Sequence, residues 1–412
     1  MPMVDMKEDS PATINSMQRK QALETSGVVN SEAGQHSVKP GWYREMRVFK
    51  WSWQGLSPLL IQEVQARIAV SNNERTHADL IDTVKGYRPG NWIYEWSQEA
   101  ALRMMDGKRA LEVADLELAK HHFLQSCLLY TVAGHPHLRG DKLANDAHLL
   151  ANQAYQQAGL LLPNPLKIER VPFQGREVQC YLHLPKTDDP VPLVIMAGGG
   201  DALQTDYLRV FQDFLEPKGV ALLTVDMPGI GYSAHWTLSQ ETSALYEAVV
   251  EHMSESPYVL ADKIALMGLR IGGHAAVRTA VMMPDKVAAV AAIGAVVHDA
   301  LVEPKVETRV SQMLIDEIAS RLGVDSARPH LLAATLTNYS LRRQGLLGLR
   351  KINVPMLGIA HPQDLFGTVE DAKLIAQSSY GGEVHLLKRP TFASAYDAAF
   401  AKACDWITRH LT

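Results

Sequence analysis

Past residue 165 the sequence alternates short apolar runs with helical patterns, a rhythm that few architectures satisfy. The runs at 178–184, 193–196, 220–225, 263–267, 287–293, 355–360 and 383–387 have the length and content of strands in a covered sheet. Helical spacing separates them at 207–215, 243–253, 274–283 and 396–408. Such alternation predicts an α/β fold with a mostly parallel sheet, because each crossover between parallel strands lays a helix on a face. Roughly 60 residues separate the run ending at Ile293 from the one starting at Pro355, far more than an ordinary connection. That insert, about 299–350 with a helical stretch at 310–322, is the expected cap over the cleft that the strand ends form.

The text before residue 165 differs. From 42 to 162 it is helix-friendly, with apolar spacing near 3.6 as in Leu80, Ile81 and Val84, or Leu124, Leu128 and Leu129. Pro163 and Pro165 end it, since proline and the residue before it disfavour helix. Residues 1–40 are polar, too poor in large apolar groups to offset the entropy of ordering them, and are expected to be a disordered tail. The expected organisation is therefore a tail at 1–40, an all-helical domain at 41–165 and an α/β domain at 166–412. Five of the seven tryptophans lie between Trp42 and Trp96, which reads first as packing of the helical domain.

Composition narrows the function classes. Forty Lys and Arg against 45 Asp and Glu give a net charge of −5 with no basic cluster, which argues against a nucleic-acid partner. The longest apolar run, 287–297, is too short to span a bilayer, and the first 21 residues lack the apolar centre of a signal peptide; a cytoplasmic location is expected. Cys127, Cys180 and Cys404 are far apart and form no disulfide framework or zinc knuckle. His121-His122 and His135-Pro136-His137 have no carboxylate or cysteine spaced to complete a metal site, so no metal is expected. The glycine runs match neither a dinucleotide fingerprint nor a P-loop, and no cofactor is expected.

In open parallel sheets ligands bind beyond the carboxyl ends of the strands, so the turns there carry the candidates. After the run at 193–196 comes Gly198-Gly199-Gly200-Asp201, whose amides at Gly199 and Gly200 can approach a ligand closely; an α/β-hydrolase places an oxyanion-hole amide there. After 263–267 comes Gly268-Leu269-Arg270-Ile271-Gly272 and then a helix, which is the spacing of the Gly-x-Ser-x-Gly nucleophile elbow with arginine in the nucleophile's place. The acid of that fold's triad belongs in the loop after 355–360, where Asp364 stands. Its histidine belongs after 383–387, where residues 388–395 contain none. Ser233, in the turn after 220–225, and His298 or His361, at other strand ends, are the remaining candidates for nucleophile and base.

At this point the sequence resembles the FrsA family, fermentation-respiration switch proteins with a helical N-terminal domain and an α/β-hydrolase domain. The resemblance rests on Trp42-Tyr43-Arg44, Gln65-Ala66-Arg67-Ile68, Asp82-Thr83-Val84, Gly90-Asn91-Trp92, Tyr94-Glu95-Trp96 and His135-Pro136-His137-Leu138 in the helical part. In the second part it rests on Asp201, Gln204-Thr205-Asp206, Asp226-Met227-Pro228, Gly268-x-Arg270-x-Gly272, Ala319-Ser320-Arg321-Leu322-Gly323 and Tyr339-Ser340-Leu341. Arginine in the elbow is a habit of that family. The resemblance implies a cytoplasmic esterase linked to sugar uptake, with unphosphorylated glucose-specific enzyme IIA of the phosphotransferase system as partner. Leu269 and Ile271 stand where the family often has Phe, and Gly229-Ile230 where Ser-Val often follows the proline, so the pocket is expected to differ.

A guanidinium has donors and no acceptor, so Arg270 can be neither nucleophile nor general base. It can hold a carboxylate or stabilise an oxyanion, with the amides of Gly199, Gly200 and Ile271 nearby, or it can be spent in an ion pair with Asp364. Three functions follow from the residues. One is a hydrolase of short carboxylic esters without a standard triad. Another is a hydrolase scaffold turned into a binding or regulatory module for a phosphotransferase protein or an anionic metabolite. In the third, Arg270 holds a 2-oxo acid for decarboxylation, which lacks an electron sink.

Overall fold

The computed structural model of the chain describes residues 41–302 and 310–411, so the expected tail at 1–40 and part of the insert lie outside the described residues. The first half is built from helices α1 (Val48–Gln54), α2 (Pro58–Ala69), α3 (Trp92–Glu112), α4 (Leu116–Gly134) and α5 (Lys142–Gly159). Their starts are written locally. The Asn91, Asp115 and Asp141 side chains accept hydrogen bonds from the third backbone N–H of α3, α4 and α5, and Pro58 opens α2 where no N–H is needed. Trp51, Trp92 and Trp96 are buried together, as the aromatic clustering suggested.

One local expectation fails: Leu80, Ile81 and Val84 do not lie on a helix. Residues 70–91 form an irregular loop closed by bridges between Arg75 and Val84 and between Gly41 and Leu80. Its turn-forming residues prevail over the apolar spacing. The buried Asp82 carboxylate accepts the N–H groups of Tyr43 (2.7 Å) and Arg44 (3.1 Å), tying the loop to the start of the described chain.

The second half is one sheet of eight strands: β1 (Lys167–Phe173), β2 (Arg176–His183), β3 (Val191–Ala197), β4 (Ala221–Val225), β5 (Val259–Leu269), β6 (Ala289–Ile293), β7 (Met356–Ala360) and β8 (Glu383–Leu386). Their order is β1-β2-β4-β3-β5-β6-β7-β8, antiparallel at the β1–β2 and β2–β4 pairs and parallel elsewhere. Strand alternation divides the core. Leu193, Ile195 and Ala197 face α6 (Ala244–Ser254) and α7 (Ile271–Met282), whereas Val194 and Met196 join the core shared by α11 (Tyr396–Leu411) and the N-terminal helices. The expected helix at 207–215 is a helical stretch of mixed pitch. Helices α8 (Gln312–Leu322), α9 (Pro329–Thr337) and α10 (Val369–Gln377) follow, with a single turn at Asp299–Val302 before them. Leu332, Leu336 and Tyr339 bury themselves with Leu203, Met227 and Ile230 from the strand-end turns, so the insert seats on the carboxyl ends of the strands.

The two halves share one apolar core, and a short segment fastens them. Trp53 stacks on Phe400 at 5.6 Å and meets Tyr396 edge-on at 5.1 Å, while its indole N–H donates to Asp397 (2.8 Å). Tyr43 donates its hydroxyl to Asp316 on α8 at 2.6 Å. Trp53→Ala should therefore destabilise the chain by roughly 3 kcal/mol, the low end of the range for a large aromatic because the ring is partly exposed. A urea midpoint shift would register it; an unchanged midpoint would mean that the stack contributes nothing to docking.

Candidate active site

Strand β5 ends at Leu269 and α7 begins at Ile271, which leaves one residue to reverse the chain. Arg270 does so with φ 57° and ψ −120°, a left-handed conformation that costs a non-glycine residue of order 1–3 kcal/mol and aims the side chain off the top of the sheet. The turn is this tight because α7 packs against β3: a Cβ on Gly272 would lie 2.1 Å from the Ala197 carbonyl oxygen.

The guanidinium is held from two directions. Its Nη1 donates to the Asp364 Oδ2, and its central carbon lies 4.0 Å from the centre of the Phe392 ring. The Asp364 side chain is buried, and its Oδ1 accepts the N–H groups of Phe366 (3.0 Å) and Gly367 (3.3 Å). Phe392 comes from the loop after β8, so an aromatic face occupies the stretch from which a triad would draw its histidine. The pair is open on one side: the Arg270 side chain keeps 29% of its exposure and lines a cavity of about 460 Å³. Among the described residues the guanidinium makes no other hydrogen bond.

The cavity has an apolar wall, with Leu269, Ile271, Leu314, Ile318, Leu336 and Phe366 among its residues, and a charged end supplied largely from outside the sheet. Arg47 donates to Asp201 (3.1 Å) and pairs with Glu45 (2.7 Å), and Lys50 pairs with Asp206 (3.0 Å). Burial alone would raise the Asp201 carboxyl, but Lys50 and Arg47 outweigh it and hold the group well below the usual carboxylate range. Arg321 is consumed structurally, donating to the carbonyls of Gly200 (2.8 Å), His137 (2.8 Å), Gly229 (3.2 Å) and Pro136 (2.7 Å). Glu317 is different: burial, reinforced by Asp201, pushes its carboxyl up to about 8.

The structure thus brings together Arg270, Asp364, Ile271, Gly200 and Asp201, with Gly199 beside the last two in the glycine turn. It does not bring Ser233 or His298 to them. The Ser233 hydroxyl is buried without a partner among the described residues, and neither residue lines the cavity. His298 is bound through Nδ1 to the Ser340 hydroxyl (2.7 Å), and burial lowers its pKa. His361 is locked by the Arg389 carbonyl (2.6 Å) and the Gln363 N–H (3.2 Å). Sequence reasoning missed Phe392, Glu317, Arg47 and Lys50. Arg321 had a signal, since it stands in Ala319-Ser320-Arg321-Leu322-Gly323, one of the stretches that carry the family resemblance.

Strand order, elbow, glycine turn and acid loop together define an α/β-hydrolase. Over residues 3–412 the chain matches the family described as Esterase FrsA-like. It belongs to that family. Esterase FrsA of Klebsiella pneumoniae (strain 342) is 40% identical over 398 residues, 96% of this chain and 95% of that one. Esterase FrsA of Photobacterium profundum is 37% identical over 385 residues, 93% of this chain and 91% of that one. Among solved structures, 2,6-dihydroxy-pseudo-oxynicotine hydrolase is similar with a TM-score of 0.71 at 16% identity, covering 88% of this chain and 95% of that one. AbyA5 is similar with a TM-score of 0.63 at 17% identity, covering 79% and 90%. These two likenesses concern the fold alone. Among the described residues no helix is long and apolar enough to cross a membrane, and no group of three or more His, Cys, Asp or Glu side chains could hold a metal ion.

Glu317 has a signature in stability. Its ordinary value is 4.5, so between there and about 8 the folded chain keeps a proton that the unfolded chain releases. The contribution is full below the lower value and is lost as pH rises through the upper one. Compared with Glu317→Gln, the parent protein should lose stability across that window in urea titrations; parallel curves would show that burial does not hold the acid neutral.

Proposed function

We propose that this chain hydrolyses short carboxylic esters, with Arg270 as the electrophilic group that binds the acyl oxygen and water as the nucleophile. The observation that carries this reading is the half-open cation: a guanidinium fixed by Asp364 and Phe392, with free donors on an apolar cavity. An ester carbonyl gains negative charge on oxygen as water attacks, and a preorganised cation at that oxygen favours the transition state over the ground state. The N–H of Ile271 at the start of α7 and the amide of Gly200 are the neutral donors of the same site, while Gly199 lies behind them against Tyr207. The apolar wall suits a short acyl group. The site needs no metal or organic cofactor. Membership of an esterase family supports the reaction class. In the same proposal, residues 41–165 and 166–412 are separate domains, about 299–350 is a cap, and the cytoplasm is the location.

A second reading is favoured by one observation: Phe392, rather than a base, stands beside the elbow residue. On that reading the cavity binds an anionic metabolite and the chain is a regulatory module, with unphosphorylated glucose-specific enzyme IIA as a protein partner.

A chromogenic series from 4-nitrophenyl acetate to hexanoate separates the two. Arg270→Ala should lower kcat/KM on the order of 100-fold, the usual loss for one oxyanion donor. Asp364→Asn should lower it less, because the asparagine carbonyl still accepts the Phe366 and Gly367 N–H groups. Ser233→Ala, whose hydroxyl does not line the cavity, should match the parent. Equal residual rates in all four preparations would point to a contaminant and favour the binding module.

A further inference from the structure

The esterase reading leaves the proton of the attacking water without an acceptor, since Arg270 has only donors and His298 and His361 lie outside the cavity. One titratable group in the cavity is unspent. Glu317 projects from α8, is buried, and its Oε2 has no hydrogen-bond partner among the described residues. Its Oε1 rests on the glycine turn: a Cβ on Gly200 would lie 2.5 Å from it. The same turn abuts the elbow, where a Cβ on Gly199 would lie 3.9 Å from the Leu269 carbonyl oxygen, one residue before Arg270. Glu317 therefore shares a cavity with the cation and touches the loop that supplies the neutral donors.

The charged groups around Glu317 do not neutralise it. Arg321, on its own helix, is committed to four backbone carbonyls and to the Ser320 hydroxyl. Arg47, the residue before α1, is committed to Asp201 and Glu45, and those two carboxylates add repulsion. Arg321 and Arg47 favour the Glu317 carboxylate electrostatically, but burial and Asp201 outweigh them, and its Oε2 has no hydrogen bond among the described residues. A buried acid without a hydrogen bond in a ligand cavity is the arrangement of a proton-transfer group.

We propose that Glu317 is a catalytic residue of this esterase, its carboxylate taking a proton from the water that attacks the acyl carbon held at Arg270. The bond from water oxygen to the acyl carbon forms as that proton passes to Glu317. The tetrahedral intermediate then collapses, the bond to the alcohol oxygen breaks, and Glu317 returns the proton to the leaving alkoxide. Ester and water become acid and alcohol, and the carboxylate is regenerated. The cap thus supplies the base that the sheet lacks.

The inference rests on the esterase reading, and the test keeps the two apart. With 4-nitrophenyl butyrate, the parent kcat/KM should rise with pH through a midpoint of about 8, as the carboxyl ionises. Glu317→Gln should be on the order of 100-fold slower and show no such limb. Glu317→Asp, which keeps the carboxyl one methylene shorter, should retain the limb at a reduced rate; a merely structural role would move the urea midpoint and leave the pH profile unchanged in shape. A Glu317→Gln enzyme with parental rate and limb overturns the base role alone. A parent protein with no turnover above Arg270→Ala overturns the esterase reading and the base role with it.

Discussion

A fixed cation at a left-handed turn is the constraint on which the site depends. The backbone conformation of Arg270 is imposed by the close approach of α7 to β3, and Asp364 and Phe392 then fix where the guanidinium rests. A buried, fully enclosed ion pair there would satisfy both charges and leave nothing for a ligand. Asp364 is enclosed and receives two backbone N–H groups besides the guanidinium, but Arg270 remains partly open. That asymmetry matters, because a pair with one wet member escapes much of the desolvation cost of a buried bridge and keeps donors for exchange. Phe392 completes the support through its ring face, which holds a cation without using any of its N–H groups.

The N-terminal segment belongs to this site as much as the sheet does. Asp206 is buried and Asp201 half-buried beside the glycine turn, and the cations facing them, Arg47 and Lys50, come from α1 and the residue before it. Without those cations two carboxylates would lie in the interior uncompensated, which burial strongly disfavours. The stack of Trp53 on Phe400 and the Tyr43 hydrogen bond to α8 place the cations. Helical region, sheet and insert therefore meet at one cavity, and a change in how α1 docks must change the charge balance there.

What the sequence disclosed follows from how local each signal is. The elbow was legible because glycine spacing, strand and helix are contiguous, and Asp364 because chain order fixes its loop. Strand β1 was missed because Lys167–Phe173 buries only Val171 and is otherwise interrupted by charges and a proline, so it carries no apolar run. Phe392 sits in the loop inspected for a histidine, and an aromatic there has no signature until the guanidinium is seen over it. Ser233 and His298 occupy strand-end loops, but spacing says nothing about the direction of a loop side chain, and neither of these lines the cavity. Arg47, Lys50 and Glu317 come from segments far apart in sequence, joined only by tertiary packing.

The hydrolase and the binding module differ less in structure than in magnitude. Ser-His-Asp proteases of other folds, stripped of a triad member, retain roughly 10³- to 10⁴-fold acceleration over water through oxyanion stabilisation and substrate binding alone. An elbow that presents a full positive charge in place of a hydroxyl gives up covalent catalysis but keeps, and in charge strengthens, the electrostatic part. On the proposed reading, slow hydrolysis by water follows for any ester whose carbonyl reaches Arg270. A ligand with a carboxylate in place of the ester carbonyl would dock on the same donors without reacting, since its acyl carbon is a poor electrophile. The two proposals, catalysis and sensing, thus draw on one geometry and are divided by the chemistry of what enters the cavity.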